Sequence, residues 1–164
     1  MNPPVVEAVG EFLLVGDLKF DLAGPVIPAV IDGRILSESP AVRYSKRDLV
    51  PLNRYGAGPF GRFKVNGLKA VAALYALCAS DEVLYIGETV NLGQRWSSSG
   101  YGRIQPRNCY VGGQQTNCRI NALMLVAAES GRAMGLHYLV SPDDHARLAA
   151  ETRLIGLLRP SWNR

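Results

Sequence analysis

The chain has 164 residues, 48% hydrophobic and 20% charged, so it can bury a core and is not an intrinsically disordered segment. No apolar run reaches the roughly 18 residues of a membrane span. Three cysteines (Cys78, Cys109, Cys118) make a poor disulfide framework, and Glu7, Glu11 and Asp17 interrupt the first apolar stretch, which together predict a reducing, cytoplasmic setting. The net charge of +4 is unevenly spread. Residues 1–40 carry six acids against Lys19 and Arg34, whereas residues 41–70 carry Arg43, Lys46, Arg47, Arg54, Arg62, Lys64 and Lys69 against Asp48 alone. Such a segment suits a polyanion; the plainer alternative is a solvated loop.

In chain order, Phe12–Val15 and Val26–Ile31 are short apolar stretches expected to form strands. Residues 51–61 hold three Gly and two Pro and predict an irregular connector. Within it, Gly56-Ala57-Gly58-Pro59-Phe60-Gly61 has the spacing of a dinucleotide fingerprint. Pro59 lies inside the turn and no helical pattern follows, so a structural turn is expected instead. Val71–Cys78 and Val83–Gly87 predict two strands joined by a hairpin at Ala79-Ser80-Asp81-Glu82. A short helix is expected from Thr89 to Trp96, capped by Thr89 or Asn91. A glycine-punctuated loop from Gly100 to Gly113 leads to a helix capped by Thr116 or Asn117, with Ile120, Leu123, Met124, Val126 and Ala127 at helical spacing, stopped at Gly131. Gly135–Val140 predicts a third strand. Ser141-Pro142-Asp143-Asp144 then opens a last helix, with Ser141 as cap, running to Leu158 before Pro160. The class is α+β.

Three groups of side chains bear on chemistry. Cys109 and Cys118 lack partners for a zinc site in His137, His145 or Cys78, and are expected as buried small hydrophobes. Glu151 falls on the apolar stripe of the last helix, set by Leu148, Leu154, Ile155 and Leu158. A carboxylate there is expensive unless it binds a cation or pairs with an arginine such as Arg95. Tyr75 and Tyr85 sit on the two hairpin strands, where cross-strand packing is the plain reading. Gly87 follows at the strand end, where glycine lets a substrate backbone approach.

Together these pieces resemble the GIY-YIG nuclease superfamily. Ala73-Leu74-Tyr75 is a relaxed form of its first motif, and Tyr85-Ile86-Gly87 is its second. The run Gly87–Trp96 looks like the family helix with its catalytic arginine, here Arg95. Glu151 stands where the family keeps a metal-binding Glu, and Pro160-Ser161-Trp162-Asn163 looks like the closing motif. Residues 100–121 and 52–60 are similar to the subset that includes small type II restriction endonucleases. Many members carry His or Tyr four positions after the arginine; this chain has Ser99, with Tyr101 two residues on.

The resemblance implies a small GIY-YIG-type core over 65–164, a central antiparallel three-stranded sheet flanked by helices. Residues 1–64 are then an N-terminal extension of short strands and basic loop, the whole forming one compact unit. It implies a Mg²⁺- or Mn²⁺-dependent DNA endonuclease, one ion per site on Glu151, leaving 5′-phosphate and 3′-hydroxyl ends. The implied catalytic set is Tyr75, Tyr85, Arg95, Tyr101, Glu151 and Asn163. The residues support phosphodiester hydrolysis on their own: a carboxylate for the cation, a fixed cation for phosphorane charge, and a tyrosine to orient water. Restriction-like cleavage of duplex DNA by a homodimer is the leading role. The alternatives are a structure-specific or single-strand-specific repair or mobile-element nuclease, and a DNA-binding module with a decayed site. DNA contacts are expected from Arg43, Lys46, Arg47, Arg54, Arg62 and Lys64, with Arg103, Arg107, Gln114, Gln115 and Arg119.

Overall fold

A computed structural model describes residues 6–9, 12–80 and 82–163. The strands are β1 (Val6–Val9), β2 (Phe12–Val15), β3 (Leu18–Pro25), β4 (Ile27–Pro28), β5 (Val30–Ile31), β6 (Arg34–Ile35), β7 (Ser37–Glu38), β8 (Phe60–Gly61), β9 (Phe63–Lys64), β10 (Ala73–Ala79), β11 (Glu82–Thr89) and β12 (Gly135–Val140). The helices are α1 (Leu92–Arg95), α2 (Gln115–Glu129) and α3 (Asp144–Leu158). The mixed α+β class is as expected. The chain forms two compact units, each built from separated stretches: residues 1–26, 65–93 and 133–164 make the first, and residues 27–64 and 94–132 the second. The expected division at 64/65 is therefore one of several points where the chain passes between units, and residues 1–64 contribute to both.

The first unit is built on a six-stranded antiparallel sheet in the order β1-β2-β3-β12-β10-β11. The three strands expected from the sequence are adjacent members of it, but the sheet does not stop at three. Gly16, at a positive φ of 62°, and Asp17 form a two-residue turn that pairs β2 with β3, and β3 then pairs with β12. In β3, Phe20 is buried while Lys19 and Asp21 are exposed, the alternation of a strand with one covered face. Every residue of β10 is buried, as its unbroken apolar run Ala-Leu-Tyr-Ala-Leu-Cys-Ala requires of a strand covered on both faces. Asp81 of the β10–β11 connection lies outside the described residues.

One face of this sheet, with Leu13, Val15, Phe20, Leu74, Ala76, Cys78 and Ile86, packs against Leu154, Ala150, Ile155 and Leu158 of α3. The cap of α3 is Asp143, whose carboxylate accepts from the Ala146 N–H at 2.7 Å. Ser141 was the expected cap; its N–H instead donates to the Ala72 carbonyl, extending the β12 side of the sheet. Thr89 likewise belongs to β11, opposite Ala73, so α1 is only four residues long. The Thr89 hydroxyl accepts from the Asn91 N–H at 3.1 Å, the backbone turn that starts α1.

The second unit holds the short pairs β4·β9, β5·β6 and β7·β8 and the helix α2 around Ala41, Phe60, Ile104, Cys109, Tyr110 and Cys118. Here Gly56–Gly61 leads into β8 rather than a helix, as a structural turn should. Asn121, fully buried within α2, accepts from the Gly61 N–H and donates to the Gly61 and Tyr101 carbonyls at 2.8–3.0 Å. It satisfies the backbone of Gly61 at the end of β8 and the carbonyl of Tyr101 in the glycine-rich loop. Asn117 is buried inside α2 and donates to Gln114, so it is not the cap. All three cysteines are free and buried, and burial pushes the Cys78 thiol up to about 12.

His137 of β12 is buried, its Nδ1 has no hydrogen-bond partner among the described residues, and burial lowers its pKa. A depressed folded-state pKa contributes stability above the unfolded value of about 6.5 that is lost as pH falls through the folded value. Thermal melts of wild type and His137→Phe between pH 7.5 and 5.5 should diverge below about 6.5, with wild type losing the more. Parallel curves would show that His137 does not titrate on unfolding.

Candidate active site

β11 is the last strand of the sheet, so one of its edges has no strand neighbour. Tyr75 on β10 stands opposite Gly87 on β11 and Tyr138 on β12. A Cβ on Gly87 would lie 2.4 Å from both Cζ and Oη of Tyr75. The phenol ring therefore lies over the Gly87 backbone, carrying its hydroxyl across the edge strand. This revises the role expected for Gly87: the Tyr75 ring, not a substrate, approaches its backbone. Tyr85, on the same face two residues earlier, sets its ring 6.2 Å from that of Tyr75 at 42°. Both tyrosines are buried, at 1% and 8% exposure.

The outer edge of β11 is met by the end of the chain. The Trp162 N–H donates to the Leu84 carbonyl at 2.9 Å. The Asn163 carboxamide then accepts from the Ile86 N–H at 2.8 Å and donates to the Ile86 carbonyl at 2.7 Å. One side chain thus imitates a strand residue and closes the edge immediately before Gly87.

Glu151 is half-buried on α3, one turn after Arg147 and one turn before Leu154, both 1% exposed. The stripe expected through Leu148 is shifted, since Leu148 is 50% exposed; Arg147 occupies that end of the buried face. Arg147 was not singled out by sequence. Its guanidinium donates to Glu88 of β11 at 2.8 Å, to Asp144 at 2.7 Å and to the Ser141 carbonyl at 2.9 Å, and the two carboxylates raise its pKa. The available signal was its i, i+4 relation to Glu151. α3, which carries Glu151, covers the sheet face opposite the two tyrosines and lies chiefly against β11, so the strand stands between Glu151 and the face that carries Tyr75 and Tyr85.

Tyr75, Tyr85, Glu151 and Asn163 belong to the first unit, and Arg95 and Tyr101 to the second. The start of α1 is tied to the first unit by Leu92 N–H to Val71 and Gly93 N–H to Lys69 bonds of 2.9 and 3.0 Å. Arg95, at its end, sets its guanidinium 5.6 Å from the Tyr101 ring centroid, and Tyr101 stacks edge-on against Trp96 at 5.2 Å. Tyr101 is 2% exposed and its N–H donates to the Arg95 carbonyl. Its neighbours must be glycine: a Cβ on Gly100 would sit 2.0 Å from the Arg95 carbonyl oxygen, and one on Gly102 2.7 Å from that of Trp96. Ser99 is exposed in the preceding turn, sharing a 3.0 Å hydrogen bond with Ser97. Tyr101, not Ser99, is thus the side chain that meets Arg95.

All eleven residues expected to contact DNA belong to the second unit. Arg43, Lys46, Arg47, Arg54, Lys64, Arg107, Gln114 and Gln115 are exposed, or nearly so, and Arg119 is half-buried. Arg62 and Arg103 converge on Glu38, at 2.8 and 3.5 Å, and the Arg62 hydrogen bond, helped by the charge of both, holds its carboxyl below the usual range. Arg47 donates to the Val42 carbonyl, and Arg54 lies 5.4 Å from the Tyr55 ring. Among the described residues no group of three or more His, Cys, Asp or Glu converges. Scans against family models, curated proteins and solved structures return no match to this chain.

Gly87→Ala should destabilise the fold by about 1–3 kcal/mol, because the added methyl overlaps the Tyr75 ring. In a Tyr75→Leu background the same change should cost much less, a coupling that urea denaturation of the four proteins measures. Equal costs in both backgrounds would contradict the ring-over-glycine geometry.

Proposed function

We propose that this chain is a GIY-YIG-type, divalent-cation-dependent DNA endonuclease. The observation that carries the reading is the gathering of Tyr75, Tyr85, Gly87 and Asn163, from three separate motifs, at one edge of β11. On this reading the family core is the β12-β10-β11 half of the sheet with its helices, and β1–β3 are an addition to it.

The donor set fits Mg²⁺ or Mn²⁺ held in a particular way. The resemblance assigns the cation to Glu151 of α3, while Glu88 of β11 is engaged by Arg147. Mg²⁺ accepts one carboxylate when waters and substrate phosphate oxygens complete its shell. When bound, the cation supplies Lewis-acid stabilisation of charge on the phosphoryl group. The resemblance assigns Arg95 the role of a permanent charge for the non-bridging oxygens, and the Tyr101 ring lies beside its guanidinium. Tyr75 or Tyr85 orients the attacking water and takes its proton as phenolate. As the water oxygen bonds to phosphorus, the bond to the 3′ oxygen breaks, and that oxygen leaves as a hydroxyl after protonation by solvent. The ends are then 5′-phosphate and 3′-hydroxyl. An ordinary tyrosine pKa near ~10 makes this step depend on nearby positive charge.

DNA is held by the exposed basic residues of the second unit, with Gln114, Gln115 and Arg119 available to bases or phosphates. One such site cuts one strand, so cleavage of duplex DNA in a restriction-like role calls for a homodimer with two-fold symmetry. Sedimentation on a DNA duplex should show two chains, with linear plasmid accumulating early. A monomer that accumulates only nicked circles would instead favour the repair-type role.

Supercoiled plasmid should be cut with Mg²⁺ and not in chelator. Glu151→Ala should lower the rate at least about a hundredfold while binding in Ca²⁺ persists; a variant cutting at a tenth of the wild-type rate would remove Glu151 from the cation. Arg95→Lys keeps the charge but loses the planar fork, so kcat should fall far more than affinity. Weakened binding alone would reassign Arg95 to phosphate anchoring.

A further inference from the structure

The strand register places five residues in a single row across the sheet: Phe12, Asp21, Tyr138, Tyr75 and Gly87, one from each of β2, β3, β12, β10 and β11. Directly paired residues of antiparallel strands point to the same face. The row therefore continues the tyrosine face away from the β11 edge. Over its far half lies an open cleft of about 490 Å³ lined by Phe12, Lys19, Asp21, Leu22, Ala23 and Tyr138. A smaller depression shares Leu22, Ala23 and Tyr138 and continues to Lys69 and Leu92, the first residue of the helix that carries Arg95.

We propose that this cleft binds one unpaired base of the DNA strand that runs past Tyr75, and selects a base bearing an exocyclic amine. The proposal rests on the nuclease reading above. Phe12 and Tyr138 are two strands apart, about 10 Å at the backbone. That leaves room for a flat ring between two aromatic faces, each at a stacking separation of about 3.5 Å. Asp21 stands between them on the floor; among the described residues no hydrogen bond or ion pair occupies its carboxylate. An ionised carboxylate there accepts from the N4 amine of cytosine, which thymine lacks. Lys19 lies 4.8 Å from the Phe12 ring centroid, and Lys69 is exposed at the other end of the depression. Two cations flanking a stacking platform is the arrangement that tracks a phosphate backbone. Asp21 is the one anion among the residues lining the two depressions, and its position between the rings is where a base-edge acceptor must stand.

The test is fluorescence anisotropy of labelled hexamers dC6 and dT6 in chelator, where no cleavage occurs, with free dCMP as competitor. Wild type should bind dC6 about tenfold more tightly than dT6. Asp21→Ala should abolish that preference, and Phe12→Ala should weaken both hexamers about tenfold. Both side chains are outside the core, and circular dichroism verifies each fold. Equal binding of dC6 and dT6 by wild type, or a preference that survives Asp21→Ala, would overturn the base-reading role. Competition by dCMP at the concentration at which dC6 competes would make this a free-nucleotide site and overturn the strand assignment. The plasmid assay runs separately: loss of cleavage with intact dC6 selectivity would count against the nuclease reading, and cleavage without selectivity against the cleft.

Discussion

The geometry at β11 depends on a buried ion pair. Arg147 is 1% exposed, and a guanidinium withdrawn from water is destabilising unless its donors are met. Here Glu88, Asp144 and the Ser141 carbonyl meet them, and two of those partners fix positions that matter. Glu88 is on β11, next to Gly87, so the pair clamps the first turns of α3 to the strand that carries Tyr85. Asp144 and Ser141 belong to the start of α3 and the chain just before it, so the same group also sets where the helix begins. Glu151, one turn further on, inherits its position from this clamp. Breaking a buried pair from one side leaves an uncompensated charge, which makes the clamp far less tolerant than a surface pair.

The segment after α3 completes the arrangement. Arg159 adopts a left-handed conformation, φ 46° and ψ 55°, and ends the helix. The chain then turns through Pro160 and lays Trp162 and Asn163 along the outer edge of β11. Exposed strand edges invite unwanted pairing, and a side chain that mimics a strand residue blunts this one. The imitation stops at Ile86. At the next residue the strand has no side chain of its own, and the Tyr75 hydroxyl lies over it. The candidate reacting group is thus placed where the coverage of the strand by Asn163 ends.

Much of this architecture is legible in the sequence, for identifiable reasons. β10, β11 and β12 are apolar runs bounded by polar turns, and α2 and α3 carry helical periodicity, so local pattern and tertiary structure agree. β3 escapes such a reading because Lys19, Asp21 and Gly24 dilute its apolar signal, and its status depends on pairing with β12. Ser141 looks like a helix cap, but the neighbouring backbone at Ala72 claims its N–H, and Asp143 two residues later takes the role. Leu148 looks like a core position, yet the helix is rotated so that Arg147 faces inward. A hydrophobic count cannot anticipate that, because the partner of Arg147 on β11 lies 59 positions away. At Gly87 the pattern locates a close approach but suggests the wrong occupant; only the register identifies the Tyr75 ring as the group that comes near.

The central claim is that the hydroxyl of Tyr75, carried over Gly87, takes part in the chemistry and is not merely the polar end of a packed ring. Tyr75→Phe separates the two, because the ring and its packing against Gly87 remain while only the oxygen is lost. Single-turnover cleavage of a DNA duplex in Mg²⁺, measured beside the thermal melt of the same protein, gives the answer. The account predicts a melting temperature lowered by at most a few degrees, the size of one lost hydrogen bond, and a rate lowered by about a hundredfold or more, the size of a lost proton-transfer group. A phenylalanine variant that cleaves within a few-fold of wild type would contradict it.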